Sequence, residues 1–186
     1  MGNIMKLVTA LTFIAFSLAA VTLVPAQAGW DPNKQQKQLD KTQDTIKAFK
    51  KNDPSIKAYF NQAYGYVVFP TIAKGAFIIG GAHGKGTVFR RGAVIGKATL
   101  SQGSIGAQLG GQTYSEIIFF KNKTALQHLI EGKLKFAAQA SAVAATEGAA
   151  ANADYSNGVA IFTLIKGGLM FEASIGGQKF SFKPIK

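Results

Sequence analysis

From Tyr66 onward the chain sets short runs of Val, Ile and Phe between glycines that recur every few residues, a spacing that no helical period survives. Glycine weakens a helix interior by about 1 kcal/mol relative to alanine, whereas β-branched and aromatic residues suit a pleated, half-buried surface. This part of the chain therefore reads as sheet. Lys179-Phe180-Ser181-Phe182-Lys183 alternates cleanly, and Leu169, Phe171, Ala173 and Ile175 alternate against Met170, Glu172, Ser174 and Gly176, so each has one face for a core. Tyr66 to Phe69, Ala76 to Ile79, Thr113 to Phe120 and Val159 to Lys166 are predicted as further strands. Gly-Gly pairs begin at Gly80, Gly110, Gly167 and Gly176, at irregular intervals. That irregularity points to tight strand packing rather than to a solenoid.

Helical signals lie mainly ahead of the sheet. Asp31 to Asn52 is lysine-rich, with Leu39, Ile46 and Phe49 along a thin apolar stripe, and reads as one amphipathic helix. Asp53-Pro54 then supplies an N-cap followed by proline at the first helical position, with Ile56, Tyr59, Phe60 and Ala63 on one face and Gly65 at the end. One helix interrupts the strands, with Thr124 and Gln127 as a capping box, Leu126, Leu129 and Ile130 turned inward and Gly132 as its stop. The alanine-rich piece from Phe136 to Asp154 has helix-favouring composition but no apolar face, and the residues leave it open.

The first 28 residues stand apart. Lys6, an apolar run from Leu7 to Val24 and the small-residue site Ala26-Gln27-Ala28 form the pattern of a signal peptide cleaved after Ala28. A retained membrane anchor is the alternative reading of the same run. Export places the mature domain in the periplasm or outside the cell, soluble or peripherally bound to membrane. The chain has no cysteine, so no disulfide staples it and packing alone must hold it. The formal net charge is +12, and losing the leader removes one lysine and no acid, leaving +11. Such a domain is drawn to anionic partners.

Few residues offer chemistry. Gly80-Gly81-Ala82-His83-Gly84-Lys85-Gly86-Thr87 resembles a phosphate-binding loop at first sight, but Gly84-Lys85 has Ile79 where the first glycine is needed and Gly86 where Ser or Thr is needed, and a β-type run follows instead of a helix. His83 and His128 are solitary, no metal-ligand spacing occurs, and neither an enzyme nor a cofactor is expected. Glu116 and Glu172 fall within apolar strands, where an acid is expected to pair with lysine or arginine. Lys74, Lys85, Arg90, Arg91 and Lys97 gather around one predicted hairpin. Read as a solvated face they do nothing more; if they converge, each contributes about 1 kcal/mol toward an anionic membrane surface. The first amphipathic helix either packs on the core or lays Leu39, Ile46 and Phe49 into that interface.

Gly65-Tyr66-Val67-Val68-Phe69-Pro70 is followed by Lys74-Gly75-Ala76-Phe77 with Gly80, Gly81, Gly84 and Gly86 leading to Arg90, and then by Gly103-Ser104-Ile105-Gly106-Ala107-Gln108-Leu109-Gly110-Gly111-Gln112. Phe119-Phe120 and Gly167-Gly168-Leu169-Met170-Phe171 complete the series. A resemblance to the SYLF domain, from about Tyr64 to Lys186, rests on these residues. It implies a β-rich α+β domain that binds phosphoinositides or other acidic lipids, with actin binding in some fungal members, and an extended alanine-rich segment. The tryptophan and proline that many members carry after the arginine hairpin are replaced by Gly92-Ala93-Val94-Ile95-Gly96-Lys97. In an exported protein actin is not an expected partner. The expectation is thus a leader over 1–28, a helical segment over 29–63 and a SYLF-like domain over 64–186. Its fold is α+β, a glycine-rich, mostly antiparallel barrel or sandwich with N-terminal helices and one short helix after the middle strands. Its expected function is binding of anionic lipid headgroups through Lys74, Lys85, Arg90, Arg91 and Lys97, with His83 as a further donor. No nucleic acid partner is expected, and the alternative is an envelope module that binds protein without lipid specificity.

Overall fold

A computed structural model describes residues 32–75, 81–103, 112–136, 141–167 and 173–185. Helix α1 spans Pro32–Asn52. Its buried stripe is Thr42, Thr45, Ile46 and Phe49, with Leu39 half-buried and most of its lysines facing water. The stripe lies on the sheet, so the apolar residues of α1 serve the core rather than an external interface. Asp53 caps the next turn as its sequence position predicts, accepting from the Ser55 amide at 3.0 Å. It also accepts from the amides of Gly148 at 3.3 Å and Ala150 at 2.6 Å, which pins the alanine-rich segment to the helical layer. Helix α2, Lys57–Gln62, follows and buries Tyr59, whose hydroxyl donates to the Ala153 carbonyl.

The strands are β1 (Gly65–Gly75), β2 (Gly81–Arg90), β3 (Ala93–Gly103), β4 (Gln112–Phe120), β5 (Ser141–Ala144), β6 (Val159–Gly167), β7 (Ala173–Ser174) and β8 (Gln178–Pro184). They run in the order β7-β5-β6-β4-β1-β2-β3-β8, antiparallel throughout except for the short β5–β6 pair. Helix α3, Lys123–Ile130, sits between β4 and β5. The predicted α+β fold with a mostly antiparallel sheet is the one observed, and its strand order is open.

That sheet is strongly curled. Adjacent strands are about 4.8 Å apart, so β1 and β8, three steps apart, would be separated by roughly 14 Å if flat. Instead the rings of Phe69 and Phe180 lie with centroids 6.1 Å apart. Gln178 on β8 likewise reaches Glu116 on β4, four steps away, at 3.0 Å. The two halves of the sheet thus face each other across an interior made by Val67, Phe69, Val88, Leu100, Ile118 and Phe180, which α3 covers with Leu126 and Leu129. A second core lies on the outer face, where Ile46, Phe49, Ile56 and Tyr59 meet Val68, Phe89, Phe119 and Phe162.

Glycines make the curl feasible. A Cβ at Gly86 would stand 2.7 Å from the Phe69 ring, and one at Gly84 the same distance from Ile72. Both positions lie in β2, within the run that resembled a phosphate loop. The β2–β3 connection is a two-residue turn, Arg91-Gly92, with φ of 50° and 81°, the left-handed pair a tight hairpin requires.

The structure departs from expectation at identifiable points. β1 does not end at Phe69 but continues through Pro70 to Gly75, because a bulge between Phe69 and Ile72 takes proline out of the ladder. Ser115 satisfies the Pro70 carbonyl at 2.8 Å. α3 is capped by Asn122, which accepts from Ala125 N at 2.9 Å, rather than by Thr124, and Gln127 donates to Glu131. The described residues of the alanine-rich segment hold β5 and a 3-10 turn, Ala150–Asn152, and no long helix. The leader, the strand predicted over 76–79, Glu172 and the Leu169 to Phe171 part of the last alternating run lie outside the described residues.

Candidate functional site

Register places the basic residues. On antiparallel neighbours, directly paired residues project from the same face. His83 pairs with Ser101 and Ser101 with Lys179; Lys85 pairs with Thr99 and Thr99 with Ser181; Thr87 pairs with Lys97 and Lys97 with Lys183. The face is the outer one, because Thr87 bonds Thr42 of α1 at 3.0 Å. Apart from Thr87, which α1 covers, and the half-buried Thr99, every member of these three rows is exposed. No carboxylate occurs in β2, β3 or β8. Lys85, Lys97, Lys179, Lys183 and His83 therefore share the outer face of three strands that carry no acid.

Along the seam with α1 this surface continues into two shallow hollows of about 240 and 230 Å³ that share Lys41, Pro70 and Thr71. His83 and Lys85 line the first, and Lys166 and Asp44 the second. Partial burial, and then the neighbouring Lys41, hold the Lys166 ammonium below the ordinary lysine range. Asp44 is drawn toward Lys47, 3.5 Å away.

The residues singled out from sequence divide accordingly. His83, Lys85 and Lys97 come together on the outer face. Lys74, next to last in β1, pairs with Ala82, and its side chain lies outside the described ones. Arg90 and Arg91 are at the hairpin turn, about 23 Å along β2 from His83; Arg91 stacks over Tyr64 with 5.4 Å to the ring centroid, and its amide donates to the Tyr64 carbonyl. Lys41, Lys166, Lys179 and Lys183 were missed. The alternation of residues 179–183 was readable as a strand, but only the pairing of β8 with β3 puts its lysines beside Lys97.

Glu116 corrects an expectation. It is fully buried, and among the described residues its partner is Gln178 and not a lysine or arginine. The strand facing it, β8, presents Gln178 and Phe180 there, neither of them basic. Burial pushes the carboxyl up to about 7, against the opposing pull of the Gln178 hydrogen bond.

A larger hollow, about 400 Å³, lies beside α3 and β6 and has His128, Asp154 and Ser156 in its lining. No hydrogen bond joins those three side chains, so they form no proton relay.

The profile of Ysc84, described as Las17-binding protein actin regulator, matches residues 101–184, from the end of β3 through β8. Beta cell expansion factor A of Aeromonas veronii is 30% identical over 130 residues, which is 68% of this chain and 49% of that protein. The chain carries a SYLF-family domain. It spans about half the length of the relative it matches. SYLF domains form a binding family associated with lipid. In this SYLF domain the profile match includes β8 but begins too late to include β2, so it covers Lys179 and Lys183 and leaves out His83, Lys85 and Lys97.

Proposed function

We propose that the domain binds anionic lipid headgroups at a membrane surface through the outer face of β2, β3 and β8, without catalysis. The observation that carries this reading is the register-fixed set of Lys85, Lys97, Lys179 and Lys183 with His83, on three strands that hold no acid. Lys97 and Lys183 stand directly opposite each other. Like charges so paired weaken a sheet, and an anion bridging them would relieve the repulsion. Four lysines near an anionic surface contribute about 1 kcal/mol each, enough for peripheral attachment at low salt. The hollows around Lys41 and Lys166 extend the same field toward α1.

Part of this pattern also protects the sheet. β8 is an edge strand, and Lys179, Lys183 and Pro184 discourage another chain from pairing with it. Edge protection does not account for Lys85 and Lys97, which lie on interior strands. Sedimentation of residues 29–186 with vesicles of phosphatidylcholine alone, or with phosphatidylglycerol added, tests the reading. Binding only to the anionic vesicles, reversed by salt, is expected; equal binding to both, or none to either, refutes it. Capture of an envelope protein regardless of lipid would favour the protein-interaction alternative.

A further inference from the structure

The interior of the curl contains a buried acid that the outer-face reading does not use. Glu116 on β4 has Phe69 of β1 and Thr163 of β6 as register partners, and Tyr114 lies two residues back on the same face. Gln178 approaches from β8, and its Nε2 donates to Glu116 Oε2 at 3.0 Å. Glu116 Oε1 and Gln178 Oε1 are both buried without a hydrogen-bond partner.

Both orphan atoms are acceptors, on two groups already joined by one hydrogen bond. An ionised Glu116 satisfies neither. One proton on Glu116 Oε1 satisfies both, because a carboxylic acid and a primary amide can exchange two hydrogen bonds in a closed ring: N–H to Oε2 in one direction, O–H to the amide oxygen in the other. Leaving a buried polar group unmatched is costly, so the arrangement of acceptors favours the neutral acid. Among the described residues no cation answers Glu116. Phe69 and Thr163 do not titrate in water's range, nor does Gln102, the register partner of Gln178 on β3. Among the described side chains the other titratable neighbour is Tyr114, which also hydrogen-bonds Gln178 and whose hydroxyl burial pushes above the ordinary tyrosine range; Lys74 shares this face of β1, and its side chain lies outside the described ones.

We propose that Glu116 and Gln178 form a proton-dependent latch. With Glu116 neutral, the acid–amide pair ties edge strand β8 to β4 across the interior and holds the curl closed; ionisation weakens the tie and lets β8 open. β8 is suited to this role because, among the described residues, it pairs with one strand only, β3. Burial places the change near neutrality, since the carboxyl is raised to about 7. The sign follows from the raised value. An opened β8 lets Glu116 ionise in water at an ordinary carboxylate pKa, so opening becomes easier as pH rises from about 4.5 and levels off once the closed form also ionises, near 7. Lys179 and Lys183 ride on the same strand, so release would disperse half of the four-lysine face; that consequence rests on the lipid reading above, whereas the latch does not.

Amide hydrogen exchange of residues 29–186 at pH 5 and pH 8 tests the latch without lipid, so its failure is distinct from failure of the lipid reading. After correction for intrinsic rates, protection of the amides of Lys179 to Phe182 is expected to fall at least tenfold between the two pH values, about one decade per pH unit over part of the range. In Glu116→Gln, whose amide can form the same closed ring with Gln178 at any pH, the fall should vanish. A smaller fall in the wild type, or an equal fall in the variant, overturns the proposal. Should the variant not fold, carbon-13 titration of the Glu116 carboxyl in the wild type decides: a midpoint near 7 supports the latch and one near 4.5 overturns it.

Discussion

Gly96 is fixed by what lies over it. A Cβ there would stand 2.4 Å from the Phe182 ring and 2.5 Å from the Lys183 carbonyl oxygen. The ring can turn, but the carbonyl belongs to the β3–β8 ladder and cannot. Gly96→Ala should therefore lower stability by about 1–3 kcal/mol, read as a shift in denaturant midpoint at constant m. Gly103, with nothing within 4 Å of an added Cβ, should accept alanine without loss. Two acids at this scale give opposite pH dependences. Burial draws the Asp53 pKa upward, but hydrogen bonds from Ser55, Ala150 and Gly148 outweigh it and the net value is lowered. Its contribution is present above the ordinary carboxylate pKa and lost as pH falls through the depressed one. Glu116, raised to about 7, contributes most below about 4.5 and loses that contribution as pH rises to about 7. The loss is of the order of 3 kcal/mol for the group in isolation. Chemical denaturation should accordingly show wild-type stability declining from pH 5 to pH 7, and Glu116→Gln should flatten that decline; an unchanged slope in the variant would refute the assignment.

The helical layer is anchored by a few side chains. α1 is mostly polar, and Phe49, fully buried at the end nearest Asp53, is the largest apolar group it places on the sheet. Phe49→Ala should lower stability by about 3–5 kcal/mol, whereas Leu39→Ala, at a half-buried position, should cost less than half as much; thermal unfolding compares the two. α1 was legible because its period is local, and so was β8, because two phenylalanines between charged or polar residues can face only one way. β1 beyond Phe69 was not legible, since Pro70 in a central strand reads as a stop until the bulge that accommodates it is seen. The Asn122 cap was hidden for a similar reason: Thr124 and Gln127 satisfy the same short-range rule. The partner of Glu116 could not be read at all. Gln178 lies 62 residues away, and only the curl brings β8 over β4.

At the scale of the whole molecule, a strongly basic chain has its charge sorted by the sheet. Away from the bulge near the β2–β3 turn, curling turns the even-numbered residues of β2, β3 and β8 inward, where Ala82, Leu100, Gln102, Gln178 and Phe180 are buried. The alternate residues form the outer face, and of these three strands α1 packs chiefly on part of β2. The lysines of β3 and β8 remain uncovered as a result, while Arg90 and Arg91 are carried to the turn. This separation allows a comparison within one protein. Lys97→Ala combined with Lys183→Ala removes two charges from one row of the face and relieves a like-charge pair, so the variant should be as stable as the wild type or more so. Its partition onto vesicles containing phosphatidylglycerol should fall about thirtyfold at low salt, as two contributions of about 1 kcal/mol require. Arg90→Ala, at the hairpin end of β2 and about 10 Å along the strand beyond the row of Lys97 and Lys183, removes a single charge outside the face and should change partition much less. The difference between the two variants should shrink as salt shortens the screening length from about 10 Å at 0.1 M to 3 Å at 1 M. An equal loss in Arg90→Ala would mean that net charge alone drives attachment, because the sheet's sorting of lysines onto one face would then have no effect on binding.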